Sequence, residues 1–240
     1  MDSKIRIQLD KIQGWLSIHE GQFLYKAARI GKDRSGVIVE IGSYQGKSTI
    51  YLAKTGQHVY AIDPHEGKLD NGKKISPTLM SFQQNIEDFH VKNNVILLQK
   101  KSSTAVQNWK KEIKLLFIDG LHDEKNAKND YKGWSSFLVD GGIVAMHDSF
   151  CGWSGAQSVA LQNIVRNNMY SEVGVVGSII YGVKGRKNFL TSLNVIRTRF
   201  FIQLAFWIHK QKNIPQSISF ILIHKCIKFF LVNRFTLWRD

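Results

Sequence analysis

The sequence predicts an α/β fold with a mostly parallel sheet, an antiparallel edge hairpin and a helical C-terminal extension. From residue 37 onward, short apolar runs alternate with helical stretches of roughly 10–15 residues, as in right-handed βαβ units. The last two apolar runs, 172–176 and 178–183, have only Gly177 between them, so they predict an antiparallel hairpin. The segment 189–240 leaves this alternation and is both basic and apolar.

Two helices are predicted before the first strand. Apolar residues recur there at helical spacing, at Ile5, Leu9, Ile12 and Leu16. Ser17-Ile-His-Glu20 then has the pattern of a capping box, which predicts a second helix running to about Ile30. Residues 1–31 are therefore expected to be the helical start of a single domain, 1–188.

The remaining elements follow in order along the chain. Ahead of the hairpin, the predicted strands are 37–41, 58–62, 95–98, 115–118 and 142–146. The predicted helices are 47–54, a stretch through Met80, Ile86 and Phe89, then 103–109, 124–138 and 154–168. A long polar loop, 64–77, follows the second strand. In such a fold the carboxyl ends of the parallel strands meet at one edge, where ligands bind.

Composition is that of an ordinary globular domain, with 240 residues of which 43% are hydrophobic. Cys151 and Cys226 lie far apart and have no metal-binding or redox spacing, which favours reduced thiols. The N-terminal stretch MDSKIRIQLD carries charges where a signal peptide needs an apolar region. These observations predict a cytoplasmic protein.

A glycine-containing turn follows the first strand in Val39-Glu-Ile-Gly-Ser-Tyr-Gln-Gly-Lys-Ser-Thr49. Glycine at 42 and 46 lets the backbone approach a ligand at a helix N-terminus. Asp63 ends the next strand, where a carboxylate would bind a ribose diol. The dinucleotide pattern G-x-G-x-x-G is absent, since Tyr44 replaces its second glycine. Glu40 would repel a pyrophosphate but bind an ammonium group, so the loop favours S-adenosylmethionine over NAD.

Three motifs give the sequence a resemblance to a known family. The glycine turn, Phe117-Ile-Asp-Gly-Leu-His122 and Gly141-Gly-Ile-Val-Ala-Met-His-Asp148 together resemble the class I methyltransferases grouped with glycan and macrolide-sugar O-methyltransferases. The resemblance covers about 18–185 and implies a Rossmann-like sandwich that binds S-adenosylmethionine. The cofactor-binding residues it implies are Glu40, Gly42, Ser43 and Gly46 on the methionine part, Asp63 on the ribose, Ser102 or Ser103 near the adenine, and Asp119. Many methyltransferases carry an acidic residue near the adenine, where this chain has Lys101-Ser-Ser103.

Two carboxylates and two imidazoles are predicted at the same edge of the sheet. Asp119 and Asp148 each follow a strand, with His122 three residues after the first and His147 directly before the second. Such a group could hold Mg²⁺ through Asp119, Asp148 and His147, and use Asp119 and His122 as catalytic residues with His122 as the base. Related sugar O-methyltransferases have a similar Asp-x-x-His segment together with two adjacent acidic residues. In this chain the adjacent pair is His147-Asp148, so a histidine replaces one of the two carboxylates.

Asp119 and His147 could also have purely structural roles instead of catalytic or metal-binding ones. Asp119 would then cap the following loop or helix, and His147 would be a histidine of the core. Acidic residues of the next helix are expected to be solvated: Asp123, Glu124 and Asp130.

The C-terminal segment 189–240 predicts contact with an anionic membrane surface. Eleven lysines and arginines against one acidic residue stand from Lys184 to the C-terminus, a net charge of +10 out of +14 for the chain. Its apolar stretches, 195–209 and 217–232, are shorter than the roughly 18–20 residues of a membrane-spanning helix. Basic and aromatic residues on amphipathic helices are typical of membrane-surface elements. The alternative is a helical pair packed on the core or on a second subunit. Nucleic acid is not the expected partner of this segment, because its apolar content far exceeds what phosphate binding needs.

The favoured function is O-methylation of a sugar hydroxyl, on a glycan or lipid-linked saccharide, at the inner face of the membrane. Alternatives are a methyltransferase for a small phenol or another metabolite, whose tail would serve a dimer or a lid, and an inactive scaffold of the same fold. A nucleotide-dependent oxidoreductase is disfavoured by Tyr44 and Glu40.

Overall fold

A computed structural model describes residues 2–30, 34–67, 75–150, 153–185 and 189–210. Seven strands form one sheet in the order β3-β2-β1-β4-β5-β7-β6. The strands are β1 Val37–Ile41, β2 Val59–Ile62, β3 Val95–Leu98, β4 Ile113–Ile118, β5 Leu138–Met146, β6 Tyr170–Val176 and β7 Ile179–Lys184. The pairs among β1 to β5 are parallel, whereas β7 runs antiparallel to both β5 and β6.

Eight α-helices accompany the sheet in the described ranges. They are α1 Ser3–Asp10, α2 Ile18–Ile30, α3 Lys47–Ala53, α4 Leu79–Asp88, α5 Ser102–Ala105, α6 Glu124–Ser135, α7 Ser154–Ala160 and α8 Phe189–Lys210. Short 3₁₀ turns lie at Lys92–Asn94 and Val106–Asn108, and a π-helical turn at Leu161–Val165 continues α7. Within the described ranges, no helix is long and apolar enough to cross a membrane.

The parallel sheet and its antiparallel edge hairpin confirm the predicted fold class. The main boundary error lies around 136–141, where the sequence predicts helix to 138 and a strand from 142. The helix ends at Ser135 because the sheet takes over its backbone bonding, with the Ile113 N–H donating to the Phe137 carbonyl at 2.8 Å. β5 therefore begins at Leu138 and includes the glycine pair.

Side chains pack on both faces of the sheet. One face buries Trp134, Tyr170 and their neighbours, and the other buries Phe23, Tyr51 and Tyr181. Helix α8 adds to the first of these cores through Val195, Ile202, Ala205 and Phe206, and it contacts β6. The first part of the predicted C-terminal extension is thus a helix with one face on the core, while 217–232 lies outside the described residues. The boundary at 188 stays a prediction.

The carboxyl ends of four neighbouring strands meet at one edge. After three of them, β1, β4 and β5, the next residue donates its backbone N–H to the last residue of the strand beside it. Gly42 donates to Ile62, Asp119 to Ile41, and His147 to Ile118, all at 2.8–2.9 Å. This register brings together residues that are up to about a hundred positions apart in the sequence, and it places the candidate site.

Candidate functional site

The glycine turn after β1 packs closely against the end of the neighbouring strand β4. Gly42 has φ +85°, and a Cβ at this position would lie 2.0 Å from the Asp119 carbonyl oxygen. Gly46 has φ +88° and precedes α3, where a Cβ would lie 3.2 Å from Phe82. Both glycines are therefore required by conformation, and Gly42 also by the close approach of two backbones.

Glu40 and Ser43 are buried polar residues beside this turn. The Thr49 hydroxyl donates to Glu40 Oε2, whereas Glu40 Oε1 and Ser43 Oγ have no hydrogen-bond partner among the described residues. Burial raises the pKa of Glu40 to about 8, and the nearby Ser48 and Thr49 hydroxyls offset this only in part. Buried polar atoms without partners mark a place where a ligand can supply the missing bonds.

Asp63 connects the end of β2 to the glycine turn. Its carboxylate accepts the Tyr44 N–H at 2.9 Å and the His65 N–H at 2.6 Å. Tyr44 has φ +46°, an uncommon conformation for a non-glycine residue, and the bond to Asp63 helps to hold it. Asp63 thus orders the turn, in addition to the ribose contact that the resemblance implies.

The predicted adenine region contains an acidic residue that the local sequence lacks. The Ser102 hydroxyl donates to the carboxylate of Asp130, while Ser103 is exposed. The expectation that Asp130 is solvated is wrong, because this side chain of α6 packs inward and is only 7% exposed. Burial raises the pKa of Asp130 to about 6, against the effect of the Ser102 bond. Asp123 instead caps α6 by accepting the Asn126 N–H at 3.1 Å.

The N-terminal segment lies against the glycine turn. The ring of Trp15 contacts that of Tyr44 at a centroid distance of 5.4 Å. Lys47, at the start of α3, forms an ion pair with Asp10 at 3.3 Å. The first helices therefore form one wall of the site.

The predicted carboxylates and imidazoles form a single cluster beyond β4 and β5. His147 Nδ1 lies 3.0 Å from Asp119 Oδ1 and 3.6 Å from Asp148 Oδ2. His122 Nε2 lies 3.4 Å from the same Asp119 oxygen and 3.7 Å from the same Asp148 oxygen. Each carboxylate thus faces both imidazoles. Asp148 has φ +50°, so the turn that presents it is conformationally strained.

Glu20, from the capping box of α2, is the residue of this cluster that the sequence analysis did not identify. It accepts the Ser17 N–H at 2.8 Å, as the capping box predicts, and the Ser178 N–H at 2.7 Å from the turn of the hairpin. Its Oε2 lies 3.6 Å from His147 Nε2. Glu20 and His147 are 3% and 2% exposed. The capping pattern was visible in the sequence, but the approach of α2 to the hairpin was not.

The charges of the cluster stabilise one another. Burial disfavours the imidazolium of His147, yet Asp119, Asp148 and Glu20 outweigh it and hold the pKa of His147 well above its usual value. Burial likewise raises the pKa of Asp119, but the charge of His147 and the bonds from both imidazoles bring it below its usual value. The pKa of Glu20 is lowered to about 2 against burial, chiefly by His147 and Ser17. His147 is thus a buried histidine with three acidic partners.

The donor set can hold a divalent cation. One ligand atom each from Asp119, His122 and His147 lie within 4.8 Å of one another, with Asp148 beside them. Two imidazoles with carboxylates suit Mn²⁺, Fe²⁺, Co²⁺ or Zn²⁺, whereas Mg²⁺ prefers oxygen ligands. The residues therefore fit a divalent ion. Their metal preference differs from that of an all-carboxylate site, because two of the ligands are imidazoles.

The described architecture is the Rossmann-like fold seen in class I methyltransferases, with a glycine turn, an acidic strand end and a cluster of carboxylates and imidazoles at one sheet edge. Residues 39–149 match the family model described as Methyltransferase domain. This match and the fold confirm the resemblance to class I methyltransferases.

Solved structures share this fold at low sequence identity. The O-methyltransferase NovP is 13% identical with a TM-score of 0.62, over 71% of this chain and 81% of its own. The calicheamicin methyltransferase CalS11 is 15% identical with a TM-score of 0.55, over 76% and 91%. An O-methyltransferase from Bacillus cereus, solved in complex with SAH, is 20% identical with a TM-score of 0.53, over 75% and 88%.

Proposed function

We propose that the chain is an S-adenosylmethionine-dependent O-methyltransferase acting on a sugar hydroxyl of a glycan or lipid-linked saccharide. The observation that carries this proposal is the direct contact between the two halves of the site. Asp119 is a member of the cluster, and its backbone packs against Gly42 of the glycine turn. A methyl donor on the turn and a hydroxyl at the cluster would therefore be neighbours, which is the arrangement that group transfer needs.

The residues around the turn fit S-adenosylmethionine. Gly42 and Gly46 give the turn its conformation, Ser43 would lie beside the methionine part, and the unpaired Glu40 oxygen suits its ammonium group. Asp63 would bind the ribose, and the Ser102 and Asp130 pair would face the adenine. When bound, the cofactor supplies an electrophilic methyl group on a sulfonium.

The cluster would bind and activate the acceptor. His122 would take the proton of the acceptor hydroxyl as its oxygen accepts the methyl group, and the cofactor would leave as the neutral thioether. Asp119 and Asp148 orient His122, since both carboxylates lie within 4 Å of its Nε2. Glu20 and Asp119 fix the ring of His147 from opposite sides.

A divalent cation at Asp119, Asp148 and His147 is part of the proposal. It would lower the pKa of the acceptor hydroxyl and orient it. Mg²⁺ is the ion that the resemblance implies, and the imidazole of His147 favours Mn²⁺ or Co²⁺ over it. A sugar acceptor is supported by one structural relative, since CalS11 is described as a TDP-rhamnose 3'-O-methyltransferase.

Affinity for the cofactor product is expected to depend on pH through Glu40. Its folded pKa of about 8 leaves it mainly protonated at neutral pH, whereas an ammonium ligand binds the ionised form. The association constant of S-adenosylhomocysteine should therefore rise by up to about tenfold per pH unit below 8 and level off above it. Calorimetry between pH 6 and 9 measures this. Glu40→Gln should bind more weakly and without this slope, and an unchanged slope in that variant would exclude Glu40 as the titrating group.

Methyl transfer tests the function itself. The purified chain is incubated with methyl-labelled S-adenosylmethionine and either nucleotide sugars, lipid-linked saccharides or catechols. We expect label on a saccharide, and a loss of about 10²–10⁴ in rate for His122→Gln with cofactor affinity retained. The exposed His58 provides the control, His58→Gln, which should retain full rate. Label on catechols alone would support the phenol alternative, and binding of neither cofactor nor acceptor would support the scaffold.

Removal of metal tests the cation separately. Dialysis against a chelator should abolish transfer, and Mn²⁺ or Co²⁺ should restore it at lower concentration than Mg²⁺. Asp119→Asn should weaken Mn²⁺ binding measured by electron paramagnetic resonance. Transfer that survives the chelator, in a protein without bound metal, would remove the cation from the proposal.

A further inference from the structure

Helix α8 is apolar on two opposite faces. Val195, Ile202, Ala205 and Phe206 are buried on one face and belong to the core described above. The other face exposes four large apolar side chains: Leu193 at 51%, Ile196 at 63%, Phe200 at 61% and Trp207 at 61%. A surface helix that packs on the core is normally polar on its outer face, so the outer face of α8 requires an explanation.

The four exposed side chains lie along one side of the helix, where the exposed Gln203 separates Phe200 from Trp207. Their spacing of three, four and seven residues places them on one side of the helix, over about 21 Å at 1.5 Å per residue. Ten large hydrophobic residues are exposed in the described part of the chain, and these four are the ones on α8. Single exposed hydrophobics are ordinary, but several aligned on one helix face mark an interaction site. We call Leu193, Ile196, Phe200 and Trp207 the outer strip.

The charge around the outer strip is positive. Arg197 lies between two of its members in sequence and is only partly buried. Arg199, on the adjoining side, donates to the Asn168 side chain at 3.0 Å and to the Asn167 carbonyl. The chain from Lys184 onward carries eleven basic residues and one acidic residue. An apolar strip in a strongly cationic segment matches the chemistry of an anionic lipid surface, which offers acyl chains below and negative headgroups above.

The same charge disfavours a second copy of the chain as the occupant. Two identical strips in contact would bring two cationic segments together, and like charges across an interface oppose association. The aromatic members of the strip, Phe200 and Trp207, are of the type that enters the boundary between headgroups and acyl chains. The observations therefore favour lipid over protein.

We propose that α8 holds the chain on an anionic membrane surface, with the outer strip in the headgroup boundary and the basic residues among the headgroups. The helix lies parallel to the surface, since its inner face remains on the core. The proposal depends on the exposed face of α8 and not on the methyl-transfer reaction. Were the acceptor a lipid-linked saccharide, the same contact would bring it to the enzyme.

The test is co-sedimentation of the full chain with vesicles of phosphatidylcholine, with and without phosphatidylglycerol. We expect binding to the anionic vesicles alone, weakening as salt is raised. The double variant Phe200→Ser/Trp207→Ser should reduce the partition coefficient at least tenfold. The matched control Ile7→Ser/Met80→Ser removes two other exposed apolar side chains, 63% and 82% accessible, and should bind as the unaltered chain does.

A second measurement locates the contact. Quenching of tryptophan fluorescence by brominated lipid should decrease in Trp207→Phe, although this variant still sediments with vesicles. The proposal is overturned if the unaltered chain does not bind anionic vesicles, or if the double variant binds them equally well. A chain that binds no vesicles and is a dimer, with a monomeric double variant, would assign the strip to a second copy and also overturn the proposal. If the chain binds no vesicles and the double variant melts at a lower temperature, the strip would be covered by residues 211–240. This outcome would also overturn the proposal of a lipid contact.

Discussion

Gly42→Ala is expected to destabilise the protein by more than about 3 kcal/mol and to abolish binding of S-adenosylhomocysteine. The new Cβ would lie 2.0 Å from the carbonyl oxygen of Asp119 and 2.6 Å from its carbonyl carbon. Both are backbone atoms of a buried strand end, so neither moves without displacing the cluster. The turn would also pay the strain of an alanine at φ +85°. Urea unfolding measures the first effect and calorimetry the second.

Gly56→Ala is the matched control for this prediction. Gly56 has a similar φ of +79°, but a Cβ there would meet nothing within 4 Å. Its substitution should therefore show the conformational strain alone, about 1–2 kcal/mol, with ligand binding intact. Equal destabilisation of the two variants would mean that Gly42 is needed only for its conformation, and the contact with Asp119 would lose its importance.

Glu20→Ala should be the second severe substitution, with a loss of about 3–5 kcal/mol in the free energy of unfolding. It leaves His147 buried without one of its acidic partners, and it removes the acceptor of the Ser17 and Ser178 backbone bonds. Because the folded pKa of Glu20 is about 2, this contribution is present above the unfolded value near 4.5. It is lost as pH falls from there towards 2. The difference in stability between the two proteins should therefore shrink in acid.

Asp123→Ala separates the capping role from the role in the cluster. Asp123 also caps a helix, α6, but is exposed, so its removal should lower stability by only about 1 kcal/mol. Glu20→Gln preserves the size of the side chain and removes its charge, and we expect an intermediate loss. If Glu20→Ala were no worse than Asp123→Ala, the ion pair with His147 would contribute little.

The sequence predicted those features that depend on neighbours along the chain. The bounds of β1, the glycines at 42 and 46 and the capping box at Ser17 follow from local pattern, because conformation and backbone bonding decide them. The strand ends at Asp119 and His147 were predictable once the sheet was known to be parallel. That fold class follows from alternation alone.

Other features depend on contacts between distant segments and could not be predicted. Asp130 has the sequence context of a solvated helix residue, and only its position opposite Ser102 shows otherwise. Glu20 has the sequence pattern of a simple capping residue, and only the packing of α2 against the hairpin shows its second role. The inner face of α8 is likewise defined by β6, so its two apolar faces could not be distinguished in advance.

The bond from Ser178 to Glu20 joins residues 158 positions apart. Closure of so long a loop is entropically unfavourable and tends to come late on a folding pathway. His147 acquires its third acidic partner only when Glu20 of α2 reaches it. A growing chain on the ribosome therefore cannot form this bond to Glu20 before residue 178 has left the exit tunnel, although the other cluster residues end at Asp148. The N–H groups of the glycine turn, by contrast, bond only within residues 42–63, from Gly42 to Ile62, from Tyr44 to Asp63 and from Gly46 to Ser43.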